Sequence, residues 1–233
     1  MSVTVDAVSG EIYSGTASLS FTTFTVGSSA NALVFAVSFG GTPTEPAALS
    51  VTWNSVAMTL ISGANGGYSG GVEQWIGIFG LLAPTTGNHT LSASWTGARQ
   101  TNGALISFDG VNQSSFAAAF PHGTSTSGSS GSATSFTLTG TSATGNYTVC
   151  GAGNDMGTLG LQSLSATGST NVFIDNNGDP DVAISYSPGA SSVTWTCTND
   201  IALGDYVGVF TDVAASAAAA PVLLTSKRMF VRR

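Results

Sequence analysis

The sequence predicts an all-β protein: an antiparallel β-sandwich of the jelly-roll kind over residues 1–214, followed by an Ala-rich connector and an extended C-terminal arm over 215–233. Three observations lead there. Apolar residues alternate with Ser and Thr at period two in many short runs, the pattern of half-buried antiparallel strands. Clusters of Gly, Pro, Asn and Ser separate the runs. No stretch shows the apolar stripe of an amphipathic helix, so twelve or so short strands must make the core.

Three runs carry the alternation most clearly. "LSVTWN" sets Leu49, Val51 and Trp53 on one face, "TLSASW" sets Leu91, Ala93 and Trp95, and "SVTWTC" sets Val193, Trp195 and Cys197. Sharing a face with aliphatic residues marks Trp53, Trp95 and Trp195 as core. Further strands are expected at 16–25, 32–39, 73–82, 103–108, 134–139, 146–151, 171–174, 182–187 and 205–213. The stretch "HGTSTSGSSGSATS" (122–135) reads as a loop within the one sandwich. The Trp-ending strands are spaced too irregularly for a solenoid or propeller.

Composition narrows the function. Charged residues make up 7% of the 233, against roughly 25% in ordinary soluble domains; a surface with so few charges suits docking among other subunits. Residues 1–226 hold 12 acids and the single cation Arg99, net −11, whereas the last seven residues carry +4. An acidic body has no basic face for phosphates, which argues against nucleic acid as a partner. No secretory signal opens "MSVTVDAVSGEIYSG" and no apolar run reaches the length of a membrane span, so synthesis without export by a signal peptide is the expectation. Cys150 and Cys197 sit in strand-like runs without metal-ligand spacing; buried thiols and a cross-strand disulfide both remain open.

The arm "PVLLTSKRMFVRR" combines apolar side chains (Leu223, Leu224, Met229, Phe230) with Lys227, Arg228, Arg232 and Arg233. A solvating tail needs no such apolar content; a segment that docks in a groove or on a sheet edge, with its cations against acids, does.

Candidate chemistry is sparse. Gly67–Gly71 matches G-x-S-x-G around Ser69, but in a glycine-rich turn ahead of a strand rather than a strand-to-helix elbow. His89 heads a strand and His122 opens the Gly/Ser stretch, so neither has a paired acid or base. No catalytic residue is assigned. "DNNGDPD" places Asp175, Asn177, Asp179 and Asp181 at alternate positions, a partial calcium-loop pattern that lacks the loop's Gly and its closing Glu; the bland alternative is a solvated turn, and no other cofactor is suggested. Tyr13, Tyr68 and Trp75 are the candidates for a glycan-stacking platform.

The segments "VTWNSVAMTL" (51–60), "WIGIFGLLAPTTGNHTLSASWTG" (75–97) and "GALISFDGVNQSSF" (103–116) resemble a widespread set of bacterial and phage jelly-roll proteins with Trp-Gly-Gly-x-x-Met-Thr, Leu-x-x-Pro-x-x-Gly-x-x-Thr and Gly-Val-Asp-Gln-Thr patterns. Asn54 and Ser55 stand in place of the glycines and Asn112 in place of the Asp. The resemblance implies a virion-associated setting and brings no catalytic residue. The expectation is a non-enzymatic phage-type structural protein, such as a capsid decoration, head-fibre or tail component, made in the host cytoplasm. Its partners would be other virion proteins or its own copies. The alternative is a carbohydrate-binding or receptor-recognition module.

Overall fold

The computed structural model describes residues 2–41, 44–66, 74–129, 133–154, 161–175, 181–199 and 205–217. Ten strands form in the first half: β1 (Thr4–Val8), β2 (Ile12–Ser14), β3 (Ser18–Val26), β4 (Ala32–Gly40), β5 (Ser50–Trp53), β6 (Val56–Ala57), β7 (Thr59–Gly66), β8 (Gln74–Leu82), β9 (Gly87–Ser94) and β10 (Thr101–Asp109). A single helical turn, α1 (Phe116–Ala119), is capped by the Ser115 hydroxyl, which accepts from the Ala118 N–H at 3.1 Å. Eight strands follow: β11 (Gly123–Ser129), β12 (Ser135–Gly140), β13 (Tyr147–Asn154), β14 (Leu161–Ser165), β15 (Thr170–Asp175), β16 (Asp181–Pro188), β17 (Val193–Asn199) and β18 (Asp205–Val213).

The strands make four antiparallel sheets. Sheet I runs β1-β10-β4-β8-β7, with β2 also on β10; sheet II runs β3-β9-β5-β6. Sheet III runs β11-β18-β13-β16-β15 and sheet IV runs β12-β17-β14. The second pair repeats the first: β11 to β18 occupy the places of β1, β3, β4, β5, β7, β8, β9 and β10. Numbered within each half, the order is 1-8-3-6-5 in the larger sheet and 2-7-4 in the smaller.

Side-chain alternation explains how the four sheets stack. Along β4, Leu33, Phe35, Val37 and Phe39 belong to a core shared with sheet II, and Ala32, Val34 and Ala36 to a core shared with sheet III. Along β18, Val207, Val209 and Val213 face that same middle core, while Phe210 faces a third core against sheet IV. The layers therefore lie in the order II, I, III, IV. Strands β4, β8, β10, β13, β16 and β18 are covered on both faces, which is why they read as continuous apolar runs rather than as alternation.

The all-β, sandwich-like class is as expected, and its strands form two sheet pairs, I with II and III with IV. Individual segments differ from expectation. Within the Gly/Ser stretch expected as a loop, Gly123–Ser129 is a strand that pairs along β18 from Thr211 to Asp205, and residues 130–132 lie outside the described residues. Gly123 and Gly128 are packing residues, because a Cβ at Gly128 would stand 2.8 Å from the Tyr206 hydroxyl and one at Gly123 3.0 Å from Ser62 Cβ. Strand β7, "TLISGANG", is absent from the expected set, since Gly and Asn read as turn residues. Gly63 is needed there because a Cβ would lie 2.8 Å from the Trp75 ring. Strands β1, β2, β6 and β14 are likewise additions to that set.

Trp53, Trp95 and Trp195 are buried, at 0%, 6% and 1% exposure, in line with their sequence pattern. Cys150 and Cys197 are buried, unbridged thiols in the third core. Burial pushes both thiols up from their ordinary value, for Cys150 with the Cys197 charge adding to it.

Candidate functional site

Tracing the strands shows that the two halves point the same way. The strand ends at Val8, Gly40, Gly66, Ser94, Ser129, Asn154, Asp175 and Asn199 all lie at one end, together with the starts of β8, β10, β16 and β18. Contacts between the halves fix this alignment. The Gln74 side-chain amide donates to the Asp181 carbonyl at 3.1 Å, and Asn102 of β10 donates to the Asp175 carboxylate of β15. We refer to this as the loop end.

Residues assigned to separate sites in the sequence meet here. Tyr13 is paired with Asn102 across β2 and β10, and at 61% exposure it is the one exposed Phe, Tyr or Trp among the described residues. The Asn102 amide also donates to the Glu11 carboxylate, at 3.0 Å. Tyr13 is thus the cross-strand neighbour of an amide that holds two carboxylates, one from each half. Burial, and then the neighbouring Asp175 charge, raise the Glu11 carboxyl above its ordinary value.

Trp75 is a correction. It is 4% exposed, with its ring 5.8 Å from Phe39 and 6.4 Å from Phe79, because both faces of β8 are covered. It belongs to the core between sheets I and II and offers no platform. Tyr68 and Ser69 lie outside the described residues.

Asp175 and Asp181 are not brought together. Asp175 reaches Asn102 on the side of sheet III that faces sheet I. Asp181 is two residues from Ala183 of the third core and alternates with Val182 of the middle core, so it lies on the opposite face. Asn177 and Asp179 lie outside the described residues. Among the described residues no group of three or more His, Cys, Asp or Glu could hold a metal.

His89 donates from its Nε2–H to the Thr86 carbonyl (3.0 Å) and meets Trp53 edge-on. The opposite end carries both chain exits. The Val3 N–H donates to the Gly145 carbonyl at 2.7 Å, and beyond β18 Ala215 bridges Val111 while the Ser216 N–H reaches the Gly110 carbonyl. There Asp212 accepts from the Ser142 hydroxyl (2.6 Å) and the Asn146 amide (2.9 Å). Burial raises its carboxyl against those hydrogen bonds. An open cleft of about 530 Å³ also lies at this end, lined by Thr167, Gly168, Pro188, Ser192 and Thr194, with no charged group in its walls. The arm residues Leu223, Leu224, Lys227, Arg228, Met229, Phe230, Arg232 and Arg233 lie outside the described residues.

Comparison with protein-family models, curated proteins and solved structures found no match. No helix among the described residues is long and apolar enough to cross a membrane.

Proposed function

We propose that the protein is a non-enzymatic structural module of a phage-like particle, attached through its C-terminal arm with the loop end turned outward. The observation that carries this reading is the opposition of the two ends. Eight strand connections gather at one end, and the chain leaves β18 toward the arm at the other, tied down by Ala215 and Ser216. An anchored, projecting subunit needs that polarity. The strand orders 1-8-3-6 and 2-7-4 support a jelly roll in each half, with strand 5 carried over to the larger sheet.

The arm's four cations and the −11 body give the partner's chemistry: an acidic surface, on another virion protein or another copy. Reversing all four cations (Lys227, Arg228, Arg232 and Arg233 to Glu) should abolish assembly at about 0.15 M salt, and wild-type assembly should weaken as salt rises. Assembly of the reversed variant at wild-type concentration would overturn the anchor.

A second reading, recognition of a surface glycan at the loop end, is favoured by the exposed Tyr13 and, two residues away, the exposed Glu11, whose carboxylate the buried Asn102 amide holds in place. An aromatic face with a fixed carboxylate nearby is chemistry that holds a sugar. Loss of glycan-array binding in Tyr13→Ala, with Tm unchanged, is the expected result; undiminished binding would remove this reading.

A further inference from the structure

The core between sheets III and IV is closed at the loop end by polar residues. Ala152, Ala183 and Cys197 lie in that core, so the next residues on the same faces, Asn154, Asp181 and Asn199, also point inward. They are 1%, 2% and 7% exposed. Asn154 and Asp181 are register partners, and Tyr206 is the partner of Asn154 on its other side. Both side-chain atoms of the Asn154 amide and both of the Asn199 amide are buried and meet no hydrogen-bond partner among the described residues. Native structures rarely leave such groups unsatisfied.

The first half shows that the fold does not require polarity at this level. At the place of Asn154, β4 carries Phe39; its register partner on β8 is Trp75, in the place of Asp181. Trp95 closes the layer from sheet II, with its ring 4.8 Å from Phe39. One copy is sealed with three aromatic rings, the other lined with two amides and a carboxylate. That difference calls for a ligand in the second half.

We propose that Asp181, Asn154 and Asn199 bind a divalent cation of the calcium kind. All three offer hard oxygen donors: a carboxylate and two amide carbonyls. Calcium accepts such mixed sets in loose geometry, whereas magnesium demands a near-ideal octahedron and holds its waters. Burial to below the reach of a sugar ring favours an ion over a saccharide. With one carboxylate in the set, the affinity belongs in the range of about 10⁻⁴ to 10⁻³ M typical of weakly charged calcium sites. This site shares only Asp181 with the linear "DNNGDPD" pattern and excludes Asp175.

The test uses the full chain. Terbium luminescence sensitised through Tyr206 should rise on titration and be displaced by calcium. Calcium at about 10 mM should raise Tm by a few degrees. Asn154→Leu and Asn199→Leu, which make the layer apolar as in the first half, should keep the fold and lose both responses; Asp175→Asn should retain them. Should the leucine variants fail to fold, Asn154→Asp supplies the second measurement: an added carboxylate should tighten calcium binding at least about tenfold. A wild-type Tm indifferent to calcium would mean that waters fill the layer and would overturn the site. So would responses that survive in Asn154→Leu but vanish in Asp175→Asn, or an Asn154→Asp variant that binds no tighter.

Discussion

Shortening Ile76 to alanine probes the layer that joins the two halves. Ile76 is fully buried in the middle core, and a Cβ built on Gly151 of the facing sheet would lie 3.1 Å from its Cγ2. Removing three carbons costs about 2.4 kcal/mol at roughly 0.8 kcal/mol per buried group. A cavity that rigid sheets cannot close raises the loss to about 3–4 kcal/mol. Gly151→Ala alone crowds Ile76, but combined with Ile76→Ala its methyl group enters vacated space. The double-mutant cycle should therefore show a favourable coupling of about 1 kcal/mol, free of the intrinsic gain from replacing a strand glycine. Urea unfolding followed by tryptophan fluorescence gives both numbers, and Trp195 in an otherwise Trp-free background reports on the second half alone. A shared layer makes both halves melt in one transition. Two separated transitions with Ile76→Ala shifting only the first, or strictly additive mutations, would refute the packing described.

Three further outcomes follow from the same structure. Cys150 and Cys197, buried and with raised thiol pKa values, should resist thiol reagents in the native protein and react together at the rate of unfolding. Asp212 holds its proton above its ordinary value near 3.8, so between that value and the raised one the folded state binds a proton that the unfolded chain has lost. Stability from this group falls as pH rises through the window, and the difference in Tm between wild type and Asp212→Asn should trace that slope. Glu11→Gln, which removes a charge beside Asp175 and keeps the oxygen that accepts from Asn102, should raise Tm slightly at pH 7 and have no effect near pH 4. The gain is small because solvent screens an exposed carboxylate.

The parts of the fold legible in sequence are those with one wet face. Leu91, Ala93 and Trp95 alternate with Ser and Thr because sheet II has solvent behind it, and the same holds for Val193, Trp195 and Cys197 in sheet IV. The inner sheets hide the pattern. In "QWIGIFGLL" nothing distinguishes a strand covered on both faces from one carrying an exposed tryptophan, so Trp75 reads as a surface platform. Glycine misleads in a related way: in "GTSTSGS" and "TLISGANG" it signals a loop, yet its role is to admit a tyrosine hydroxyl or an indole ring. The equivalence of the halves left little local trace, because Phe39, Trp75 and Trp95 in one copy answer to Asn154, Asp181 and Asn199 in the other. The buried amides are invisible for the same reason. Only the sheet register turns two ordinary asparagines at strand ends inward.

The arm is tested most directly by the solution mass of the full chain and of a chain ending at Ala220, measured by light scattering after size exclusion at matched concentrations. A full chain that assembles beside a monomeric, folded truncation is the result expected if the arm anchors the module to its own copies or to a particle surface. Equal masses for the two chains, with neither one retained by an acidic particle surface, would contradict it.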